Sequence, residues 1–170
     1  NASREGFYLI VSAYVPYKRI DLALDAFREL PEEKLVIVGG GPEEKRLRKM
    51  APANVEFRGH ADTDEIQEFY SRATALLFPG EEDFGIVPVE AQARGCPVLA
   101  YGRGGALETV RPGKTGHFFQ HQTPQGLIEA IQKHKRTRYR LEDFRRSAGR
   151  FTTGEFHRKL RQEIRRVLGH

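Results

Sequence analysis

Apolar residues recur along the chain at two different periods, and the two alternate. Phe7-Tyr-Leu-Ile-Val-Ser-Ala13 is a nearly unbroken apolar run, as a strand buried on both faces of a parallel sheet requires. Pro16 breaks it. Ile20, Leu22, Ala23, Leu24, Ala26 and Phe27 then form a stripe at helical spacing. Leu35-Val-Ile-Val38 reads as a second strand, ended by Gly39-Gly-Gly41. Pro42 and the glutamates behind it open a helix that runs to about Met50. Val55-Glu-Phe57 is a short strand closed by Gly59, and Asp62 or Thr63 caps a helix through Ala73. Thr74-Ala-Leu-Leu-Phe-Pro79 and Cys96-Pro-Val-Leu-Ala-Tyr101 are two more buried strands. A helix opens between them near Ile86, with Pro88 in its first turn, where a missing N–H is harmless. Gly116-His-Phe-Phe119 is a short edge strand, and Thr123-Pro124 starts a helix to about His134. The tail from Leu141 is helical, with breaks expected near Gly149 and Gly154.

Strands alternating with helices predict βαβ units and an α/β, Rossmann-like, doubly wound parallel sheet. No internal repeat or linker divides it, so residues 1–170 read as one domain with added C-terminal helices from about 141. In such sheets ligands bind outside the carboxyl ends of the strands. That rim carries Lys18, Gly39 to Gly41, Gly59-His60 and Glu82 to Ile86.

Composition narrows the class. A chain of 170 residues with 39% hydrophobic content and 17 glycines suits one globular α/β domain. The formal net charge is +5, and the excess falls late: Lys133 to Arg140, Arg145-Arg146, and Arg158 to Arg166. This reads as a solvated helical surface or as a patch facing anionic lipid. Nucleic acid is not expected, because no recognisable motif or interleaved aromatic platform accompanies the charge. The single cysteine, Cys96, sits in an apolar run, reads as a buried thiol and has no partner for an internal disulfide. No apolar stretch approaches the ~18 residues of a membrane span, so a cytoplasmic location is expected, with the basic tail a candidate for peripheral contact at the inner membrane face. The chain opens on Asn1-Ala2 without an initiator Met, as a processed or excised fragment would.

The candidate chemistry clusters around residues 80–95. A strand, a glycine turn and a free helix N-terminus form an anion site with backbone N–H groups pointing outward. Glu82 lies in the turn and Glu90 about one turn into the helix, so one ligand could touch both. Lys18 and Arg19 follow the first strand at a helix start, where a cation opposes the dipole and needs another reason to be there. A diphosphate would supply one; a solvated pair is the plainer reading. Gly39-Gly-Gly41 permits close approach of a ligand or makes a simple tight turn. His60 either edges a nucleobase or is structural. Three other patterns carry nothing. Gly113-Lys-Thr115 lacks the glycine of a P-loop, Asp83-Phe-Gly85 has no catalytic loop to serve, and His117 with His121 straddles a strand end. No cluster has metal-ligand spacing.

Taken together, Glu82 and Glu90 at E-x7-E spacing, Pro16-Tyr-Lys-Arg19, Gly39-Gly-Gly-Pro42 and Gly104-Gly-Ala-Leu-Glu108, in this order, resemble one family. It is the retaining GT-B glycosyltransferases of family 4, the group that includes the WbaZ-like mannosyltransferases. The likeness is to their C-terminal, donor-binding domain, from about Phe7 onward. The resemblance implies transfer of a hexose, by expectation mannose from GDP-mannose, to an acceptor hydroxyl with retention. It implies that Lys18 contacts the donor diphosphate, although the arginine many members carry just upstream is absent from Ser12-Ala13-Tyr14. It implies that Glu82 contacts donor-sugar hydroxyls, that the amides of Phe84, Gly85 and Ile86 approach the sugar or phosphate, and that Glu90 binds the ribose hydroxyls. Glu82 and Lys18 are then the pair assigned to chemistry, with Arg19, Gly39, Gly40, Gly41, Gly59 and His60 around the donor. No metal and no resident cofactor is expected. The expected partners are a nucleotide sugar, a glycan or lipid-linked acceptor, and an upstream acceptor domain that this sequence lacks. The rival reading is a non-catalytic nucleotide or sugar-phosphate binding module.

Overall fold

The computed structural model describes residues 5–168. Six strands form one sheet: β1 (Phe7–Ala13), β2 (Lys34–Gly40), β3 (Val55–Gly59), β4 (Ala75–Phe78), β5 (Val98–Tyr101) and β6 (Gly116–Phe119). Every pairing is parallel, and the spatial order is β3-β2-β1-β4-β5-β6. This is the expected doubly wound α/β arrangement. The helices are α1 (Ile20–Arg28), α2 (Glu44–Met50), α3 (Thr63–Arg72), α4 (Ile86–Ala93), α5 (Ala106–Thr109), α6 (Pro124–Lys135), α7 (Leu141–Gly149) and α8 (Thr153–Leu168).

Alternation along β1 builds two cores. Tyr8 and Ile10 point to one face and pack with Ala23 and Phe27 of α1, Leu47 of α2 and Leu127 and Ile131 of α6. Phe7 and Leu9 point to the other, against Tyr70 of α3, Ala91 of α4 and Ala106 of α5. Cys96 lies in this second core, fully buried, as its apolar run predicts. Asp62 is the residue that caps α3, and with Glu65 it makes a complete capping box. α7 packs against α4, with Phe144 buried.

Several boundaries differ from expectation, among them the end of β3, which runs to Gly59. α5, Ala106–Thr109, is a short helix that begins in the Gly104-to-Glu108 segment and is too brief for periodicity to reveal. β2 runs on through Gly39 and Gly40, which pair with Ser12 and Ala13 of β1. In the tail the chain breaks at residues 150–152, while Gly154 lies inside α8 and breaks nothing. Thr152 explains this: its Oγ1 accepts from the N–H of Glu155 at 3.3 Å and starts the helix anew. Among the described residues no helix is long and apolar enough to cross a membrane. Phe156, Leu160 and Ile164 form an exposed apolar stripe on α8.

Candidate nucleotide-sugar site

The strand order reverses between β1 and β4. The loops leaving their carboxyl ends therefore diverge and leave a crevice. The loop after β1 holds a single 3-10 turn, Pro16–Lys18, and then Arg19 in the left-handed region at φ 52°. The loop after β4 runs from Pro79 to Gly85. Gly80 lets the two approach. A Cβ at Gly80 would stand 2.7 Å from the Tyr17 carbonyl oxygen and 2.8 Å from the Lys18 Cα, which no real side chain tolerates.

Across this contact Lys18 Nζ closes an ion pair on Glu82 Oε1. The two side chains are only 14% and 24% exposed, so water screens the pair weakly. The ammonium also lies 5.1 Å from the centroid of the Tyr17 ring. The partner that holds a cation near the start of α1 is thus the carboxylate of Glu82. The Arg19 guanidinium binds Asp21 at 3.1 Å and Gln122 Oε1 at 3.2 Å, and Gln122 in turn donates to the Pro79 carbonyl at 2.9 Å. Arg19 is thereby tied, through Gln122, to the first residue of the loop after β4.

The acid loop is also clamped from the β5 side. The N–H of Gly105 donates to the Glu82 carbonyl at 2.7 Å. A Cβ on Gly104 would meet that same carbonyl oxygen at 2.3 Å, and one on Gly105 would meet Phe84 Cα at 2.3 Å. Two glycines are required there because backbone lies against backbone. The loop ends at Gly85, at φ 75°, which starts α4 without any side-chain cap. Its first N–H groups are available to an anion.

One turn into α4, Glu90 is half-buried, and its Oε2 accepts from the Tyr70 hydroxyl at 3.1 Å. Tyr70 is fully buried. Burial, and then the Glu90 carboxylate, push its phenol well above the ordinary tyrosine range, so it stays a donor. With Oε2 fixed, Oε1 is the oxygen left to meet a ligand.

The β2 side supplies a cleft of about 330 Å³, lined by Ser12, Gly39, Gly40, His60, Ile66 and Val87 among others. A Cβ at Gly40 would stand 2.6 Å from His60 Nε2, so the glycine is what admits the imidazole. Gly39 and Gly41 hold positive φ of 132° and 154° and lie against the backbone of Ser12 and Tyr14. Of the three, Gly41 serves the turn around Tyr14 and does not line the cleft. Tyr14 beneath it is fully buried, its phenol pushed up to about 12 by that burial. Gly59, at φ 71°, ends β3 and turns the chain into His60.

The structure thus brings Lys18 and Glu82 together at the crevice beside the start of α4, with Glu90 one turn further along that helix and Gly39, Gly40 and His60 lining the cleft on the β2 side. Tyr70, Gly80 and Gln122 are additions that the sequence did not mark. Tyr70 reads there as one more core aromatic, and only its neighbour across α4 gives it a second task. Among the described residues no three His, Cys, Asp or Glu side chains gather where they could hold a metal ion.

The family model described as "Glycosyl transferases group 1" matches residues 1–150. The GDP-mannose-dependent alpha-(1-6)-phosphatidylinositol monomannoside mannosyltransferase of Mycobacterium tuberculosis is 38% identical over 138 residues, covering 71% of this chain and 36% of that protein. An uncharacterized glycosyltransferase of Methanocaldococcus jannaschii is 31% identical over 136 residues, covering 77% of this chain and 38% of that protein. The chain therefore spans little more than a third of the length of these relatives. Among solved structures, the sucrose-phosphate synthase of Thermosynechococcus elongatus superposes with a TM-score of 0.81 at 24% identity, over 97% of this chain and 46% of the other. At that identity the likeness speaks for the fold.

Proposed function

The chain belongs to the glycosyl transferases group 1 family, and from that premise we propose that it is the C-terminal, donor-binding half of a retaining hexosyltransferase using a nucleotide diphosphate sugar. GDP-mannose is the proposed donor, since the mycobacterial relative is named for it. The observation that carries the reading is the Lys18–Glu82 pair, closed over the crevice where the sheet order reverses and beside the uncapped start of α4. In the proposed complex the diphosphate takes Lys18 and the first N–H groups of α4. Glu82 is then released to the sugar hydroxyls, and Glu90 takes the ribose. A carboxylate suits paired hydroxyls because it accepts more than one hydrogen bond.

The chemistry needs two things: relief of positive charge growing on the sugar ring, and stabilisation of the departing diphosphate. Lys18 and the helix amides supply the second by electrostatics fixed in advance. The acceptor, a glycan or lipid-linked hydroxyl, would be held by the part of the protein outside this chain. This chain alone is accordingly expected to bind donor and to turn over little of it.

A thermal-shift panel of GDP-mannose, UDP-glucose and their parent nucleotides tests the reading. A ligand at 100 times its Kd stabilises by about 2.7 kcal/mol, a rise of roughly 5–10 °C for a chain of this size. EDTA should leave that rise unchanged. No shift with any nucleotide sugar would sink the proposal. A shift with nucleotides alone, accompanied by no transfer from the whole protein, would favour the non-catalytic binding module.

A further inference from the structure

We propose that Phe151, in the break between α7 and α8, is a positioning residue for the donor loop of residues 79–85. The inference rests on the donor reading above and adds a part of the chain that lies far away in sequence. Phe84 is the apolar residue of that loop, 43% exposed, and its backbone is pressed on one side by Gly105. Its ring meets the ring of Phe151 edge-to-face, with centroids 5.6 Å apart at 72°. The loop is thus held at two points, its backbone by Gly105 and the Phe84 ring by Phe151. Glu82 and the N–H groups of Phe84, Gly85 and Ile86 all lie on or beside the gripped segment.

Phe151 is itself held still. Its N–H donates to the Ala148 carbonyl at 3.0 Å. The Arg150 guanidinium lies 4.8 Å over its ring, and Arg150 Nη2 donates to the Glu108 carbonyl in α5 at 2.6 Å. Ser147 Oγ donates to the Thr109 carbonyl at 3.3 Å. The break between α7 and α8 is therefore fastened to α5, the same helix that Gly104 and Gly105 lead into. Of the two rings, Phe151 is the fixed wall and Phe84 is the part that would move without it. Glu90, Tyr70 and the Gly40–His60 cleft lie outside this grip.

An edge-to-face pair of this kind changes the population of the docked loop by roughly two- to tenfold. Phe151→Ala should lower the affinity of this chain for GDP-mannose by that factor and leave GMP within about twofold, because GMP lacks the sugar end. Phe151→Tyr keeps the ring and should restore GDP-mannose binding. Phe84→Ala attacks the same pair from an exposed position that folding does not depend on. It should give the same selective loss, and the double variant should lose no more than either single one. UDP-glucose and UMP are run beside them by calorimetry. Equal losses for mononucleotide and nucleotide sugar, no loss at all, or no recovery with tyrosine would overturn the inference. If the unaltered chain binds neither nucleotide sugar, the donor reading falls and takes this inference with it.

Discussion

Replacing Glu90 with Gln changes one carboxylate oxygen to an amide nitrogen and removes a charge, while size and shape stay the same. Tyr70 makes the outcome specific. Its buried hydroxyl donates to Glu90 Oε2 at 3.1 Å, and burial holds that phenol protonated. The Gln amide oxygen can accept the same bond, which turns the –NH2 outward to where Oε1 stood. A ribose hydroxyl that donated to a carboxylate then meets a donor. A hydrogen bond to a charged group is worth about 1.5–3 kcal/mol, so GDP and GMP should each bind about ten- to a hundredfold more weakly. Folding should barely register the change, because the Tyr70 bond survives. A shift within about 2–4 °C corresponds to under 1 kcal/mol in a chain of this size. Tyr70→Phe separates the two roles from the other side. It removes the anchor but leaves the charge, so the melting temperature should drop more than with Gln, and nucleotide affinity should fall less. Calorimetric titration of both variants beside their melting curves makes the comparison. Unchanged nucleotide affinity in Glu90→Gln, together with a large loss of stability, would show that Glu90 is a structural clamp and refute the ribose assignment.

Glu82→Gln should spare GDP and weaken GDP-mannose, since Glu82 is assigned to the sugar; equal losses for both ligands, measured by titration, would end that division of labour. Gly80→Ala places a Cβ 2.7 Å from the Tyr17 carbonyl. It should cost about 1–3 kcal/mol of stability by overpacking and weaken donor binding by separating Lys18 from Glu82, and a variant that melts and binds like the parent would show that the two loops yield freely. His117 is buried at the edge of the sheet, with Nε2 on Thr137 Oγ1 at 2.8 Å and Nδ1 without a partner. Burial, and then Lys133, hold its pKa below the ordinary histidine value of 6.5. The unfolded chain therefore binds the proton first. Stability should be full above about pH 6.5 and decline as the pH falls below it. His117→Phe should flatten that acid limb in melting curves taken from pH 7.5 to 5, and an unchanged limb would assign it to other groups.

Much of this protein is written in short stretches of its chain. The apolar run of Phe7 to Ala13 specifies a strand buried on both faces, and the 3.6-residue stripe from Ile20 to Phe27 specifies the helix that covers one of them. Glycines end β2 and β3 where the backbone must turn, and the Glu82-to-Glu90 spacing sets two acids on either side of one helix start. These signals are legible because each depends on neighbours within a turn or a pleat. The exposed stripe on α8 is legible for the same reason, and Gly154 misleads there because one glycine costs a helix less than the Thr152 cap and the following periodicity return.

The assembly of the site was decided at longer range. Nothing near Lys18 in sequence says that its counter-ion is Glu82; that follows from β4 inserting beside β1. The same strand order places Gly80 against Tyr17, and the fold joins the Arg19 guanidinium to Gln122, far along the chain. Tyr70 becomes the anchor of Glu90 only because α3 and α4 share one face of the sheet. Gly104 and Gly105 must be glycines because the acid loop lies on their backbone, and Phe84 finds Phe151 only because α7 returns over α4. Periodicity tells each residue which way to face. Which partner it then meets depends on the order in which the strands are laid side by side, and that order is a property of the whole packed chain.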